Sequence, residues 1–397
     1  MIATLPISEE ALGALVSPLH VLTLTPFYPS GKDGARGSFV AEPLTHLHAC
    51  GVRNTVIAVE PFYRTRPQPT NIPPIADWIG YPSLPGRLGL PVAGTGLFAR
   101  VWSKLRRLHQ RDPVHVLHAH SALPCGQAAY FASRKLGVPF VVTVHGLDAF
   151  STNQVPGYLG DCSAQLSRRV YEAAQPVICI SEKVRERVMQ GAPGAKASVV
   201  YNGVDPDLFH PAEEASDAAV ILSVGNLIPT KGHELLLRAF AGIHHRFPGV
   251  CCEIIGHGPE RRRLEDLVRK SGIGEKVRFL GQMDRRQVAQ AMRRCMVFAL
   301  PSSYEGLGCV YLEAMCTGKP VIACREQGIS EVIQHNANGL LIPPGSLDEL
   351  TAALVSLLEN EPLRRQLGIA ARQTILKRFT LSQQCERLSL LYRECVR

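Results

Sequence analysis

The chain has 397 residues, more than one ordinary hydrophobic core accommodates, and this length predicts two domains of about 200 residues or fewer each. Hydrophobic residues make up 46% and charged residues 19%, a balance typical of a folded globular protein and not of a disordered or fibrous one. The formal net charge of +9 favours anionic partners such as phosphates or an acidic membrane surface. Nucleic acid is not expected as a partner, because the basic residues form no long run and no zinc-finger, RRM or basic-helix pattern appears.

Twelve cysteines are scattered through the sequence without a Cys-x-x-Cys pair or a histidine pair at zinc spacing. They are expected to be small, buried, reduced side chains in a reducing compartment, and no metal site is predicted. The amino terminus carries Glu9 and Glu10 where a signal peptide needs positive charge, and no apolar stretch approaches the roughly 18 residues that span a bilayer. We therefore expect a cytoplasmic protein that is neither exported nor transmembrane.

Short apolar runs alternate with helical patterns along the whole chain, which predicts an α/β fold with parallel, doubly wound sheets. The first series of predicted strands lies at residues 19–27, 55–59, 114–120, 140–146 and 177–181. The second series lies at residues 219–227, 251–258, 277–281, 297–302 and 320–324. The same architecture is therefore predicted twice in succession.

The two series are separated by residues 201–217, where Asn202-Gly203 is a turn signal and two prolines discourage a helix. This predicts a first domain over residues 1–209 and a second over residues 210–379. Residues 380–397 have helical spacing behind a possible cap at Thr380 or Ser382, and the pattern alone leaves open which domain this helix joins.

Two segments of the first domain stand out by composition. Residues 61–91 contain eight prolines, which predicts a long loop without regular structure over most of the span. Residues 96–111 predict an amphipathic basic helix. Its apolar stripe either packs on the sheet or contacts a membrane, and the sequence leaves both open.

The segment PSSYEGLGCVYLEAMCTGKPVIAC, residues 301–324, carries the clearest signs of a ligand site. A glycine-containing loop at Glu305–Gly308 opens into a helix that runs to about Thr317. A helix start exposes unpaired N–H groups and partial positive charge, and Gly306 and Gly308 let backbone approach a phosphate. Glu305 and Glu313 are carboxylates suited to a hydroxyl-rich ligand, although each taken singly is better explained as an ordinary carboxylate at a helix start or on a helix surface.

Two further loops follow strands of the second series. Lys231 lies in GNLIPTKGHELLLRAF, where it is placed to reach a phosphate as a point charge, with an ordinary solvated lysine as the alternative. Gly256 begins a glycine loop at the carboxyl end of the next strand, where doubly wound sheets bind ligands. Taken alone, the loop at Gly256 does not indicate a ligand site.

In this order, the motifs GNLIPTKG, IIGHGPE, YEGLGCVYLEAM and HNANGLLIPPGS resemble those of the retaining glycosyltransferases of family 4, which have the GT-B fold. Within the family the sequence is most similar to bacterial cell-surface polysaccharide transferases of the teichuronic-acid type. The resemblance covers nearly the whole chain, including TVHGLDAF at residues 143–150. It implies two Rossmann-like domains facing a cleft, with the acceptor on the first domain and the donor on the second. It also implies that the carboxyl-terminal helix, residues 380–397, crosses back to the first domain.

The resemblance also implies roles for individual residues. Glu313 would hold the donor ribose, Glu305 would contact the donor sugar, and Lys231 would hold the diphosphate. The remaining implied contacts are Leu307 and Gly308 N–H groups at the diphosphate, Gly306 and Gly256 in the donor loops, the Phe279 backbone at the base, Gly34 and Gly37 in the loop against donor and acceptor, His145 near the transferred sugar, and His120 and Asp148 on the acceptor or sugar side.

Three positions carry an alternative interpretation or a departure from the family pattern. His118 and His120 alternate on a strand and are expected to share one face, and for each an ordinary hydrogen-bonded core histidine is the alternative. Asn226 stands where the family often has a second diphosphate-binding arginine, so the clamp is expected to rest on Lys231 alone.

The implied activity is transfer of a hexose-type sugar, with retention and without metal or cofactor, from a UDP- or GDP-linked donor to a glycan or polyprenyl-linked acceptor. The implied location is the cytoplasm, with peripheral contact to an anionic membrane surface at the inner face of the plasma membrane. A GT-B sugar-nucleotide epimerase and a non-catalytic nucleotide-sugar-binding module remain as alternatives. A nicotinamide dehydrogenase is disfavoured, because no G-x-G-x-x-G follows the first predicted strand.

Overall fold

The structure is a computed structural model, and it describes residues 18–31, 36–64, 73–85, 88–146, 148–149, 155, 157–213 and 219–397. Within these residues the chain forms two parallel β-sheets of seven and six strands. The first sheet contains β1 Leu19–Thr25, β2 Val52–Pro61, β3 Asp77–Tyr81, β4 Val116–His120, β5 Phe140–Val144, β6 Val177–Cys179 and β7 Ala197–Val199. The second contains β8 Val220–Val224, β9 Cys251–Ile255, β10 Val277–Gly281, β11 Val297–Ala299, β12 Val321–Cys324 and β13 Leu340–Ile342.

Both sheets are doubly wound. The strand order is β3-β2-β1-β4-β5-β6-β7 in the first and β10-β9-β8-β11-β12-β13 in the second, so each order reverses beside its first strand. In the first sheet this reversal leaves β1 between β2, with Leu19 opposite Val52, and β4, with Val21 opposite Val116. The predicted α/β fold with two doubly wound units is confirmed. The predicted boundary at residue 210 falls between β7 and β8 and stays a prediction.

Helices cover the sheet faces. In the described part of the chain they are α1 Ser38–His46, α2 Leu90–Arg111, α3 Gln127–Leu136, α4 Tyr158–Ala173, α5 Glu182–Gly191, α6 His233–Ile243, α7 Arg261–Lys270, α8 Arg285–Arg294, α9 Cys309–Cys316, α10 Leu347–Glu359, α11 Glu361–Arg378 and α12 Leu381–Val396. All seven residues of β1 and all five of β4 and of β5 are buried, as expected for parallel strands covered on both faces. No helix among the described residues is long and apolar enough to cross a bilayer.

The carboxyl-terminal helix α12 packs on the first sheet, as the family resemblance implied. Its Leu388 and Tyr392 lie in one buried cluster with Leu44 of α1 and Val21 of β1. The helix begins at Thr380, whose hydroxyl accepts the Gln383 N–H at 3.3 Å while the Gln383 side chain accepts the Thr380 N–H at 3.0 Å. This capping box satisfies two exposed donors at the helix start and settles the cap at Thr380.

The proline-rich span departs from its prediction. Strand β3 lies inside residues 61–91 and pairs with β2, with Ile57 opposite Asp77. Helix α2 begins at Leu90 and not at residue 96 as predicted, because Pro91 lies in its first turn, where no N–H bond is lost. The prediction of a mostly irregular segment was wrong for residues 77–81, since an edge strand needs only one hydrogen-bonded neighbour.

Candidate functional site

Lys231 and Glu305 meet at the carboxyl end of the second sheet. Lys231 ends a short helical turn, Pro229–Lys231, after β8, and Glu305 lies in the loop between β11 and α9. Lys231 Nζ is 2.6 Å from Glu305 Oε1, and the Ser302 hydroxyl donates to the same oxygen at 2.9 Å. Glu305 is only 7% exposed. The structure therefore joins two residues predicted from separate loops into one largely buried ion pair.

The loop that carries Glu305 is held at its backbone as well. Its N–H donates to the Gln327 side-chain oxygen at 3.0 Å, and its carbonyl accepts the Gly328 N–H at 3.1 Å. No sequence pattern points to Gln327 or Ser302, because both act by hydrogen bonds to a loop and not through a motif. These contacts fix the position of Glu305 in the loop.

The loop that carries Glu305 and Gly306 also contacts the first domain. Ser181 Oγ donates to the Gly306 carbonyl at 2.6 Å. A Cβ on Gly306 would lie 2.5 Å from the His145 carbonyl oxygen, so only glycine fits where the two domains meet. The next residue, Leu307, is fully buried, and Gly308 directly precedes α9 in the left-handed conformation with φ 87°. The loop after β11 thus packs against the loop after β5.

Gly256 has a related packing role. A Cβ on Gly256 would lie 1.9 Å from the Gly225 carbonyl oxygen, which leaves no room for a side chain between the β8 and β9 loops. Asn226, beside Gly225, is exposed at the end of β8. Phe279 lies in β10, and the Arg261 guanidinium sits 4.7 Å from the centre of its ring. These three residues border the same edge of the sheet as Lys231.

Glu313 is buried to 6% exposure on α9 and is bound by an arginine that the sequence did not indicate. Arg285, the first residue of α8, contacts Glu313 Oε1 through Nη1. The same guanidinium binds Glu42 of α1 with both carboxylate oxygens, at 2.6 and 2.9 Å. Glu42 lies 243 residues before Arg285, so no local pattern connects the two.

Three histidines lie together on β4 and directly after β5. His120 Nδ1 is 2.9 Å from His145 Nε2, with the rings nearly parallel at 13°. His118 bonds the Thr143 hydroxyl at 2.7 Å and the Tyr392 hydroxyl at 2.8 Å. Burial lowers the pKa of His118 to about 3 and that of His145 to about 3, so both rings are neutral at physiological pH. His118 and His120 share one face, as expected from their alternation.

The loop that carries His145 is braced by Asp148. The Asp148 carboxylate accepts the His145 N–H at 2.8 Å, and burial raises the pKa of Asp148 to about 6. Gly37 precedes α1 with φ 71°, where a Cβ would lie 2.4 Å from the Phe27 carbonyl carbon. Gly34, predicted for the same loop, lies outside the described residues.

Two family models match the chain in succession. The one described as Glycosyltransferase Family 4 matches residues 37–208, and the one described as Glycosyl transferases group 1 matches residues 205–374. The chain is 30% identical over 302 residues to a D-inositol 3-phosphate glycosyltransferase from Kribbella flavida, an alignment covering 69% of this chain and 70% of that protein.

A second relative is the GDP-mannose-dependent alpha-(1-6)-phosphatidylinositol monomannoside mannosyltransferase of Mycolicibacterium smegmatis, 26% identical over 73% of this chain and 79% of its own. The fold matches HepE from Anabaena, solved in complex with UDP and glucose, with a TM-score of 0.73. That comparison covers 95% of this chain and 100% of the other at 21% identity, and it shows a shared fold.

Proposed function

Since the chain belongs to the family 4 glycosyltransferases with the GT-B fold, we propose that it transfers a hexose-type sugar from a UDP- or GDP-linked donor to a glycan or lipid-linked glycan acceptor, with retention. The observation that carries this proposal is the Lys231–Glu305 pair beside the start of α9, directly across the cleft from His145. The donor side is residues 210–379, and the acceptor side is residues 1–209 together with the helix at 380–397.

In the proposed complex the diphosphate lies between Lys231 and the amino terminus of α9. The exposed N–H groups and partial positive charge of a helix start favour a phosphate, and Lys231 adds a full charge. Glu305 already holds the ammonium group at 2.6 Å, so little reorganisation is needed when the donor enters. Stabilising the charge on the departing diphosphate is the largest contribution to catalysis in this scheme.

The transfer step follows from that placement. The bond between the sugar anomeric carbon and the diphosphate oxygen breaks with its electron pair staying on the phosphate, leaving an oxocarbenium-like sugar. The acceptor hydroxyl forms the new bond on the same face, and its proton goes to the departing phosphate oxygen. The neutral His145 ring, held by His120 at 2.9 Å, suits a hydrogen bond to a sugar hydroxyl and adds no competing charge. Lys231 and α9 supply the positive charge, so the reaction is proposed to need no metal ion.

The nucleobase is proposed to be uracil or guanine. One relative is named as GDP-mannose-dependent, and the Anabaena structure holds UDP and glucose, so both donor types occur among similar proteins. We propose that the backbone near Phe279 and Gly281, in β10, contacts the base.

Contact with an anionic membrane at the inner face of the plasma membrane is proposed for the start of α2. Leu88 and Val92 are 59% and 60% exposed there, and Arg100 follows on the same helix. Trp102 is turned toward the protein, with its ring 5.5 Å from that of Phe98 and Lys135 Nζ 5.6 Å away. The apolar stripe of α2 is therefore used mainly for packing, and the exposed Leu88 and Val92 near its start are proposed to contact lipid.

The experiment that tests the proposal is a thermal-shift screen of UDP- and GDP-sugars followed by a turnover assay with the stabilising donor. A ligand that binds only the folded state raises the melting temperature by mass action. We expect one sugar nucleotide to stabilise the protein, acceptor-dependent release of its nucleotide in the presence of EDTA, and a product whose anomeric proton coupling matches that of the donor.

The alternatives give different results in the same experiment. Turnover of the sugar nucleotide without any acceptor would identify an epimerase. Binding without turnover for every acceptor class, including polyprenyl-linked glycans, would identify a non-catalytic module. An inverted product would contradict the retaining mechanism, and loss of activity in EDTA would contradict metal independence.

A further inference from the structure

Arg285 connects the two domains through two carboxylates. Its guanidinium binds both oxygens of Glu42 in α1 of the first domain and one oxygen of Glu313 in α9 of the second. The side chains of Arg285 and Glu313 are 21% and 7% exposed, so the group is largely withdrawn from solvent. Burying charged groups costs free energy unless their hydrogen bonds are satisfied, and here one guanidinium is bonded to both carboxylates.

The position of Arg285 is fixed at three points. Its backbone starts α8 behind the Asp284 capping box, in which Asp284 accepts the Gln287 N–H at 2.9 Å. Its guanidinium lies 4.7 Å from the centre of the fully buried Phe209 ring, in the segment that joins the two sheets. Its far end is held by Glu42 at 2.6 and 2.9 Å. The arginine therefore has little freedom once the domains are closed.

The contact leaves half of the Glu313 carboxylate for a ligand. Arg285 binds Oε1, and among the described residues Oε2 of Glu313 has no hydrogen-bond partner. An ionised carboxylate accepts up to about four hydrogen bonds, so Oε2 and the remaining lone pair of Oε1 suit two adjacent hydroxyl groups. One guanidinium shared by two carboxylates leaves a net negative charge, which favours neutral hydroxyl donors over a phosphate at this point.

We propose that Arg285 is a positioning residue for the donor ribose, which fixes Glu313 to receive the ribose hydroxyls and is itself fixed by Glu42 of the first domain. The inference rests on the proposed function, in which Glu313 holds the ribose. Recognition of the ribose then depends on a side chain of the opposite domain. Full discrimination between a ribonucleotide and its deoxy analogue therefore requires the two domains to be closed on each other. Glu42 and Arg285 act through Glu313.

The test measures ribose preference and not overall affinity. Titration calorimetry gives the dissociation constants of UDP and GDP and of their 2′-deoxy and 3′-deoxy analogues, and the ratio of deoxy to parent constant isolates the hydroxyl contact. We expect the wild-type protein to prefer the parent nucleotide by about tenfold, as for loss of a hydrogen bond to a charged group. In Arg285→Ala the ratio should fall below about threefold, and in Glu42→Gln it should fall in the same direction by less.

The controls separate this effect from a general loss of structure. Arg286→Ala removes the neighbouring, exposed arginine of α8 and should keep the wild-type ratio. Glu42→Gln retains the size of the side chain and the Arg285–Glu313 pair, so it tests the proposal even where Arg285→Ala folds poorly. Adding Glu42→Gln to Arg285→Ala should change the ratio no further, because both act along one chain of contacts.

Two results would overturn the inference in different ways. A folded Arg285→Ala protein that keeps the full ribose preference, while Glu313→Ala loses it, would show that Glu313 works without Arg285 and would leave the proposed function intact. A Glu313→Ala protein that keeps the preference would place the ribose elsewhere, which overturns the donor site and this inference with it.

Discussion

Replacing Lys231 by alanine should lower both the catalytic efficiency and the stability of the protein. The ammonium group is 2.6 Å from Glu305 Oε1, its side chain is 20% exposed, and it is the cation that we place on the diphosphate. Removing one cation from a site that stabilises developing charge typically lowers kcat/KM by about 10² or more, equivalent to about 2.7 kcal/mol.

The cost in stability follows from the partner left behind. Breaking a fully buried ion pair by removing one member costs about 3–5 kcal/mol. Glu305 keeps its hydrogen bonds from Ser302 and at its own backbone, and Lys231 is partly hydrated. The free energy of unfolding should therefore fall by about 3 kcal/mol, the lower end of that range. Urea unfolding at pH 7 measures this loss. Lys270→Ala, which removes an exposed lysine of the same domain, should change neither stability nor kcat/KM appreciably.

The substitution Asn226→Arg tests whether a second cation can restore activity to the Lys231→Ala protein. Asn226 is exposed beside Gly225, and a Cβ on Gly225 would lie 3.6 Å from Lys231 Cδ, so the backbone here runs alongside the lysine. A guanidinium at position 226 reaches the same phosphates and binds them bidentately. It should therefore restore part of the activity lost in Lys231→Ala. Near wild-type kcat/KM in folded Lys231→Ala, or a further loss on adding Asn226→Arg, would refute the placement of the diphosphate.

Three other outcomes are expected. His145→Ala should lower kcat more than it raises the donor KM in steady-state assays, and full turnover would return His145 to a purely structural role. Because the pKa values of His118 and His145 lie near 3 in the fold and near 6.5 when unfolded, stability is complete above about pH 6.5 and falls as the pH drops toward 3, by about 2 kcal/mol per histidine at pH 5. The pKa of Asp148 is raised to about 6, so protonation of this carboxyl stabilises the fold as the pH falls through 6 and offsets part of the loss from the histidines. Urea unfolding should therefore show a lower free energy of unfolding at pH 5 than at pH 7. Equal stability at the two pH values would contradict the neutral state of the histidines. Flotation with anionic liposomes should weaken in high salt and in Leu88→Ser plus Val92→Ser, and a parent protein that does not float would remove the membrane contact.

Residues in the loops that follow strands could be predicted from the sequence. Lys231 and Glu305 each lie in a loop that follows a strand with a clear apolar pattern, and the carboxyl ends of parallel strands meet at one edge of a sheet. Their grouping follows from topology, which the alternation of strands and helices predicts. The histidine pair on β4 was predictable for the same reason, because alternate residues of a strand share a face.

Contacts between the two domains, and contacts that hold a loop in place, could not be predicted in this way. Arg285 and Glu42 are 243 residues apart, and each looks like an ordinary charged residue at a helix surface. Gln327 acts through one bond to the Glu305 backbone, which no spacing rule describes. Strand β3 was missed because prolines surround it, although as an edge strand it needs only β2 as a neighbour.

The most direct test of the donor site is a crystal structure of the protein with the nucleoside diphosphate that stabilises it best. The diphosphate should lie within hydrogen-bonding distance of Lys231 Nζ and the first N–H groups of α9, with the ribose hydroxyls on Glu313. A nucleotide bound away from these groups, with the Lys231–Glu305 pair and Glu313 untouched, would contradict the proposed function.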